Sequence, residues 1–289
     1  MFENIRLAFQ GIWSHKMRSI LTMLGIIIGI AAIITIVSTI KGTNEQIKEN
    51  LIGAGNNVVT VQLNQSGYPY DLSWSPVPSG IRTISEETRQ ELESLRGAES
   101  VSLYCARNYA QQVFYQNTQF NGELYGIDPH YLNVYGYQVK SGRGFTEADY
   151  KNFRKVVLVD TTAVSTLFGG ESPIGESIEL NGDVFTVVGV VALSEEFTPT
   201  INSINDYYMY ADTSSGALYS PLSTWPTPFQ FDEPQNVAIR VSSTDVMTSV
   251  GKDAADILTD RQIMDPDNSE FDYRSQDMLE QAQQLPEQP

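Results

Sequence analysis

The chain has 289 residues, 35 acidic against 18 basic side chains and a formal net charge of −17, with a single cysteine and two histidines. Length permits one large or two small domains beyond any anchor. The acidity makes nucleic acid and anionic lipid poor partners, and one cysteine rules out an intramolecular disulfide.

The first nineteen residues place Ile5, Phe9, Ile12, Trp13 and Met17 at spacings of three and four, with Arg6, Gln10, Ser14 and Lys16 elsewhere. That pattern suits an amphipathic helix lying in the inner membrane interface, so residues 1–19 are expected to form a cytoplasmic interfacial segment. The uncharged run from Ser19 to Ile40 follows. As a helix its 22 residues reach roughly 33 Å, against a hydrocarbon core of about 30 Å. A cleaved signal has a shorter apolar stretch and a small-residue cleavage site, and here no A-x-A follows the branched residues Ile33, Ile34, Ile36 and Val37. Residues 20–41 are therefore expected to be a retained membrane helix. Arg6, Lys16 and Arg18 precede it with no acid among them, while Lys41, Glu45, Lys48 and Glu49 follow as a mixed set. Positive-inside bias keeps the N-terminus cytoplasmic and puts the rest outside in a single-pass arrangement in the cell membrane. Gly25, Gly29 and Ala32 lie on one face of this helix and let another membrane helix approach closely.

Beyond the span the chain is strongly acidic, and residues 42–52 read as a continuing helix. "NVVTVQL" (57–63) reads as a strand and 64–80, rich in Gly and Pro, as a loop. Thr83 and Glu86 have capping-box spacing ahead of "SEETRQELESLRG", which Gly97 ends. In the next strand, near 100–106, Val101, Leu103 and Cys105 alternate with Ser102 and Tyr104, which places a buried, inert thiol on the inward face. Asn121-Gly122 and Asn181-Gly182 each predict a tight hairpin, because Asn-Gly supplies two positive φ angles. Between them come a short helix near 146–151, the strand "KVVLVD" and the helix "TTAVSTLFGG". After 235 come the strand "NVAIRVS", a helix from about Thr244 to Asp260 and a strand near 270–275. Strands interleaved with helices give the fold class α+β: one membrane helix, then a mixed α/β extracytoplasmic domain of two subdomains.

Turn chemistry accounts for Gly126, Asp128 and Pro129, for Gly142, Arg143 and Gly144, and for Pro173, Ile174 and Gly175. The stretch 205–234 gathers Tyr207, Tyr208, Tyr210, Tyr219, Trp225, Phe229 and Phe231 among Pro221, Pro226 and Pro228, and reads as an aromatic loop. Two readings stand for it: a contact surface made by Tyr219, Trp225, Phe229 and Phe231, or a small core of the loop's own. His15 and His130 stand alone, and the serine-hydrolase, zinc-protease and phosphate-loop motifs are absent. Catalytic, cofactor-binding and metal-ligating residues are accordingly not expected, and the chain does not read as an enzyme. Asp265, Asp267, Asn268, Glu270 and Asp272 lack the glycine that turns a calcium loop.

The ordered series "NIRLAFQGIWSHKMRSILTMLGIIIGIAAIITIVS", "GNNVVTVQ", "LYGIDPHYLNVYGYQVKSGRGFTEAD" and "VVLVDTTAVSTLFGGESPIGESIELNGDVFTVVGVV" resembles the N-terminal anchor and MacB-like periplasmic core domain of MacB-type ABC transporter permeases, across nearly the whole chain. The resemblance implies a core domain over 42–276, no cofactor, a separate cytoplasmic ABC ATPase, a second permease subunit in a homo- or heterodimer, and a role in efflux or mechanotransmission. It also implies three further FtsX-like membrane helices after the outer domain, whereas "DMLEQAQQLPEQP" (277–289) reads as a truncated linker. The alternative is a stand-alone tethered binding or sensing module.

Overall fold

The computed structural model describes residues 16–53, 57–194, 215–264 and 269–276. Contacts divide the chain into two units, one ending at Glu49 and the other beginning at Asn50. The predicted interfacial segment lies outside the described residues apart from its last few positions. So do Tyr207, Tyr208 and Tyr210 and most of the acidic cluster after Met264.

In the first unit a helix, α1 (Lys16–Gly53), begins before the span and continues past it. Its stretch Lys16–Gly42 has a mean hydropathy of 2.8 and no part of it is buried within the chain, so by length and composition it is a candidate membrane span.

The second unit is built on one sheet, whose described strands run β1 (Val58–Gln65), β2 (Tyr68–Pro69), β3 (Ala98–Arg107), β4 (Val113–Tyr115), β5 (Thr118–Gln119), β6 (Glu123–Ile127), β7 (Tyr137–Gly142), β8 (Val156–Asp160), β9 (Ser177–Leu180), β10 (Asp183–Leu193), β11 (Ala217–Pro221), β12 (Asn236–Val241) and β13 (Phe271–Gln276). The helices interleaved with them are α2 (Glu86–Glu93), α3 (Tyr131–Tyr135), α4 (Glu147–Lys151), α5 (Thr161–Phe168) and α6 (Met247–Gln262). In space the strands follow the order β13-β1-β12-β3-β6-β11-β8-β10-β9-β4-β5, with β2 on β1 and β7 on β10. Only β6–β11 and β8–β10 pair in parallel. Three buried apolar clusters pack on this continuous sheet. Val61, Leu103, Val237 and Leu258 belong to one, Leu124, Val157, Phe185 and Leu218 to a second, and Tyr104, Ile127, Val134 and Tyr219 to the third.

Local chemistry explains most element ends. The turn at Asn181 (φ 48°) and Gly182 (φ 88°) joins Leu180 to Asp183 as the expected two-residue hairpin. Asp160 caps α5 by accepting from the Ala163 amide at 2.6 Å, and Gly169 ends it in the left-handed conformation. Three expectations are corrected. Ser85, two residues beyond Thr83, caps α2, accepting from the Thr88 amide. No hairpin forms at Asn121-Gly122: the local turn sits at Gln116 (φ 52°) between Tyr115 and Thr118, and β6 leaves to pair with β3 and β11. Gly122 is needed for close approach instead, since a Cβ there would strike the Gly216 carbonyl oxygen and the Phe120 ring. Finally, Ser102 and Tyr104 are buried along with Cys105, because the sheet is covered on both faces at this strand. Burial pushes the Cys105 thiol up, which keeps it protonated and inert.

The cation of the Gly142–Gly144 turn serves the fold. Arg143 forks onto Asp149, with Nη1 2.6 Å from Oδ2 and Nη2 3.2 Å from Oδ1. The Thr146 amide and hydroxyl each donate to the same carboxylate at 2.8 Å. Burial on its own would raise the Asp149 carboxyl, but these donors outweigh it and hold the group at about 2. A depressed carboxyl stabilises the fold above its unfolded value and loses that contribution as pH falls toward the folded one, so the window runs from about pH 4 down to pH 2. Acid unfolding monitored by circular dichroism should show the wild type losing about 2 kcal/mol more across that window than Asp149→Asn. Equal losses in the two proteins would contradict this.

Candidate functional site

The first group of interest is the small-residue face of α1. At Gly25 and Gly29 nothing in the chain lies within 4 Å of where a Cβ would stand, and the flanking apolar residues Leu21, Ile28 and Ile36 are exposed. In the hydrocarbon region such a face gains from a partner helix, because close backbone approach supplies the packing that lipid-like side chains do not. Ala32 shares this exposed stretch.

The aromatic stretch departs from the contact reading. Residues Ala217–Pro221 form a strand inside the sheet, paired with both β6 and β8. Tyr219 is 1% exposed and Trp225 2% exposed, so neither can meet a partner from within the folded domain. Trp225 lies against Phe229 at 4.3 Å between ring centroids, and its ring fills the gap left by the missing side chain of Gly126, where a Cβ would fall 2.5 Å from Cε3. Gly126 is thus a packing residue in mid-strand, which turn chemistry does not explain. Arg107 stacks over Trp225 and Phe229 at 5.4 and 4.6 Å and pairs with Glu233, whose other oxygen accepts from the indole Nε1 at 2.8 Å. Phe231 alone of the four is strongly exposed, at 70%. Tyr219 and Trp225 therefore form part of a core, Phe229 is half-buried against it, and Phe231 is the exposed one of the four.

Tyr219 also joins a feature that the sequence reading missed. On the face of the sheet opposite Leu103 and Val237, the cross-strand register brings together Asn236 and Tyr104, Ala106 and Tyr125, and Tyr125 and Tyr219. Helix α3 adds Tyr131 and Tyr135, one turn apart, and Tyr137 follows the left-handed Gly136. The rings of Tyr125 and Tyr219 stack at 5.5 Å and 17°, Tyr131 and Tyr135 meet at 4.5 Å, and Tyr137 meets Tyr219 at 5.6 Å. These six, with Tyr70 from the loop after β2, line a cleft of about 430 Å³. Three carboxylates line it too: Glu123, Asp71 and Asp160. Among the described lining residues none is Lys or Arg. Burial pushes the Tyr104 hydroxyl up to about 12, and raises those of Tyr131, Tyr135 and Tyr219 further, so the phenols stay neutral donors.

The remaining buried carboxylates have structural work. Asp128 accepts from the Ser102 hydroxyl (2.7 Å) and the amides of Leu103 (2.9 Å), His130 and Tyr131 (both 3.0 Å), pinning α3 to β3. Asp160 bridges the amides of Ala163 and Ala217. Among the described residues no group of three or more His, Cys, Asp or Glu is placed to hold a metal ion.

Comparison with known proteins places these features in a family. The family described as "MacB-like periplasmic core domain" matches residues 19–257. The chain is 34% identical over 286 residues to the ABC transporter permease YvrN of Bacillus subtilis, covering 99% of this chain and 68% of that protein. It is 30% identical to YknZ of the same organism, covering 90% of the chain and 61% of the relative. The macrolide export ATP-binding/permease protein MacB of Aggregatibacter actinomycetemcomitans is 31% identical over 236 residues, with 32% of its length covered. The chain thus spans about two thirds of the first two relatives and a third of the third. Among solved structures, the periplasmic region of MacB from Actinobacillus actinomycetemcomitans superposes with a TM-score of 0.55 at 23% identity, covering 84% of this chain and 99% of that one. The extracellular domain of YknZ gives 0.50 at 21%, covering 75% and 99%. An exposed apolar helix near the N-terminus, a following α/β domain with the MacB periplasmic fold, and a match along nearly the whole length agree with one another: this chain belongs to the MacB-like periplasmic core domain family of ABC transporter permeases.

Proposed function

We propose that the chain is the membrane-anchored, extracytoplasmic part of an ABC transporter permease subunit, working with a separate cytoplasmic ATPase in an efflux or mechanotransmission system. The observation that carries this reading is the similarity to a permease over 286 residues, anchor and outer domain together, which no single motif could produce. The basic flank before the span supports a cytoplasmic N-terminus with the domain from residue 42 to 276 outside. In this arrangement residues 1–19 lie at the inner interface. Helix α1 continues to Gly53 beyond the span, and four residues separate it in sequence from the sheet's first strand, which begins at Val58. Nucleotide hydrolysis belongs to the partner in this reading.

The face of Gly25, Gly29 and Ala32 is where a second permease subunit or other polytopic helix packs in this reading, and Phe231 is the exposed aromatic left for contact outside. Replacing Gly25 and Gly29 together by leucine should reduce co-purification of the polytopic partner from native membranes by tenfold or more, with the outer domain still folded. Undiminished recovery of the complex would remove the packing role from this face.

A further inference from the structure

We propose that the tyrosine-lined cleft is a binding site for a small organic cation bearing an alkylated ammonium group. The chemistry of the wall argues for it directly. Six tyrosines from β3, β6, α3, β7 and β11 gather at the cleft, with Tyr104, Tyr131 and Tyr219 buried beneath it and Tyr125, Tyr135 and Tyr137 reaching it, although leucine or phenylalanine would fill a dry core without hydroxyls to satisfy. Tyr125, Tyr135 and Tyr137 are half-buried, so their rings belong both to the core beneath and to the cleft above. Aromatic faces attract a cation through the ring quadrupole, and an alkylated ammonium suits them best because it carries charge on an apolar surface that sheds water readily.

The carboxylates supply the sign of the charge. Glu123 stands on β6 at the edge of the tyrosine layer and accepts from the Tyr125 hydroxyl through Oε2 at 2.7 Å. That hydrogen bond turns the phenol outward to the acid and leaves Oε1 without a hydrogen-bonding partner among the described residues. Asp71 stands on a second wall, fixed by the Ser73 amide (2.7 Å) and the Asn108 side chain (3.1 Å). Asp160 is spent on capping two amides and adds field without a free lone pair aimed at a ligand. Among the described residues that line the cleft none is Lys or Arg, so the acids meet no counter-charge from that lining, and the low-dielectric aromatic wall concentrates their field. The volume of about 430 Å³ falls within the range of about 300–1,000 Å³ typical of small-ligand sites. Cation–π attraction and the charge of the carboxylates hold the ligand in this site.

The site does not depend on the transporter reading, since a tethered sensor could use it equally. The test uses the full chain in a non-ionic maltoside detergent, titrated with choline and with its carbon isostere 3,3-dimethylbutan-1-ol, and followed by calorimetry and tyrosine fluorescence. Choline should saturate a single site, with the uncharged isostere at least tenfold weaker. Glu123→Gln should weaken choline at least tenfold while leaving the isostere unchanged. Should Glu123→Gln fail to fold, Asp71→Asn on the other wall should weaken choline by severalfold. Equal binding of the two compounds, absence of saturation by choline at 100-fold the concentration of protein through the millimolar range, or unchanged affinity in a folded Glu123→Gln would each overturn the proposal.

Discussion

Replacing Trp225 with alanine should lower the unfolding free energy by about 3–5 kcal/mol, the cost of emptying a large aromatic site in a core that cannot collapse around it. Collapse is prevented on one side by the β6 backbone at Gly126 and on another by Phe229 and the Arg107 guanidinium. The substitution also strips Glu233 of its indole donor while that carboxylate stays buried beside Arg107. Denaturant titration of the outer domain within the full chain measures this loss. Phe231→Ala, at a position 70% exposed, should change stability by no more than about 0.5 kcal/mol. Comparable losses at the two positions would contradict the placement of Trp225 in the core.

Asp128→Ala should cost about 3 kcal/mol or more. Its carboxylate satisfies a hydroxyl and three backbone amides, and the Leu103 amide has no route to water once the acceptor is gone. Each buried donor left unpaired costs about 1–3 kcal/mol, and the shared environment makes the losses less than additive. The damage should also spread in a specific direction. Asp128 ties the start of α3 to β3, and α3 carries Tyr131 and Tyr135 into the cleft. Tyrosine fluorescence should therefore shift in folded Asp128→Ala, whereas the hairpin around Asn181 should keep its hydrogen-exchange protection. A loss below about 1 kcal/mol would show that the carboxylate is replaceable by water.

How much of this was readable in the chain follows from the range of the interactions involved. The apolar span, the Asn181-Gly182 hairpin, the Gly169 stop and the helix leading to Gln262 are governed by neighbours in sequence, and each is found where local chemistry puts it. Asn121-Gly122 carries the same dipeptide and makes no hairpin, because β6 finds a better partner in β11, nearly a hundred residues later. That pairing brings Gly216 against Gly122, which only a glycine tolerates. For Trp225, followed by Pro226, the contact and core readings both stayed open for a related reason. Its pocket is a missing side chain on a strand far away in the sequence, a vacancy with no local signature. The tyrosine cleft was invisible on the same grounds: its members are spread from Tyr70 to Tyr219, and the register that aligns them is set by the whole sheet. A count of fifteen tyrosines in a chain with twelve phenylalanines was the available hint.

In the proposed role this domain works as the outer arm of an ATP-driven complex through its membrane helix. Purification from native membranes with an antibody to the outer domain, followed by identification of the proteins retained, tests it most directly. A cytoplasmic ABC ATPase and a polytopic membrane subunit recovered in stoichiometric amounts is the predicted result. Recovery of the chain free of any ATPase, from membranes in which the ATPase is present, would contradict it.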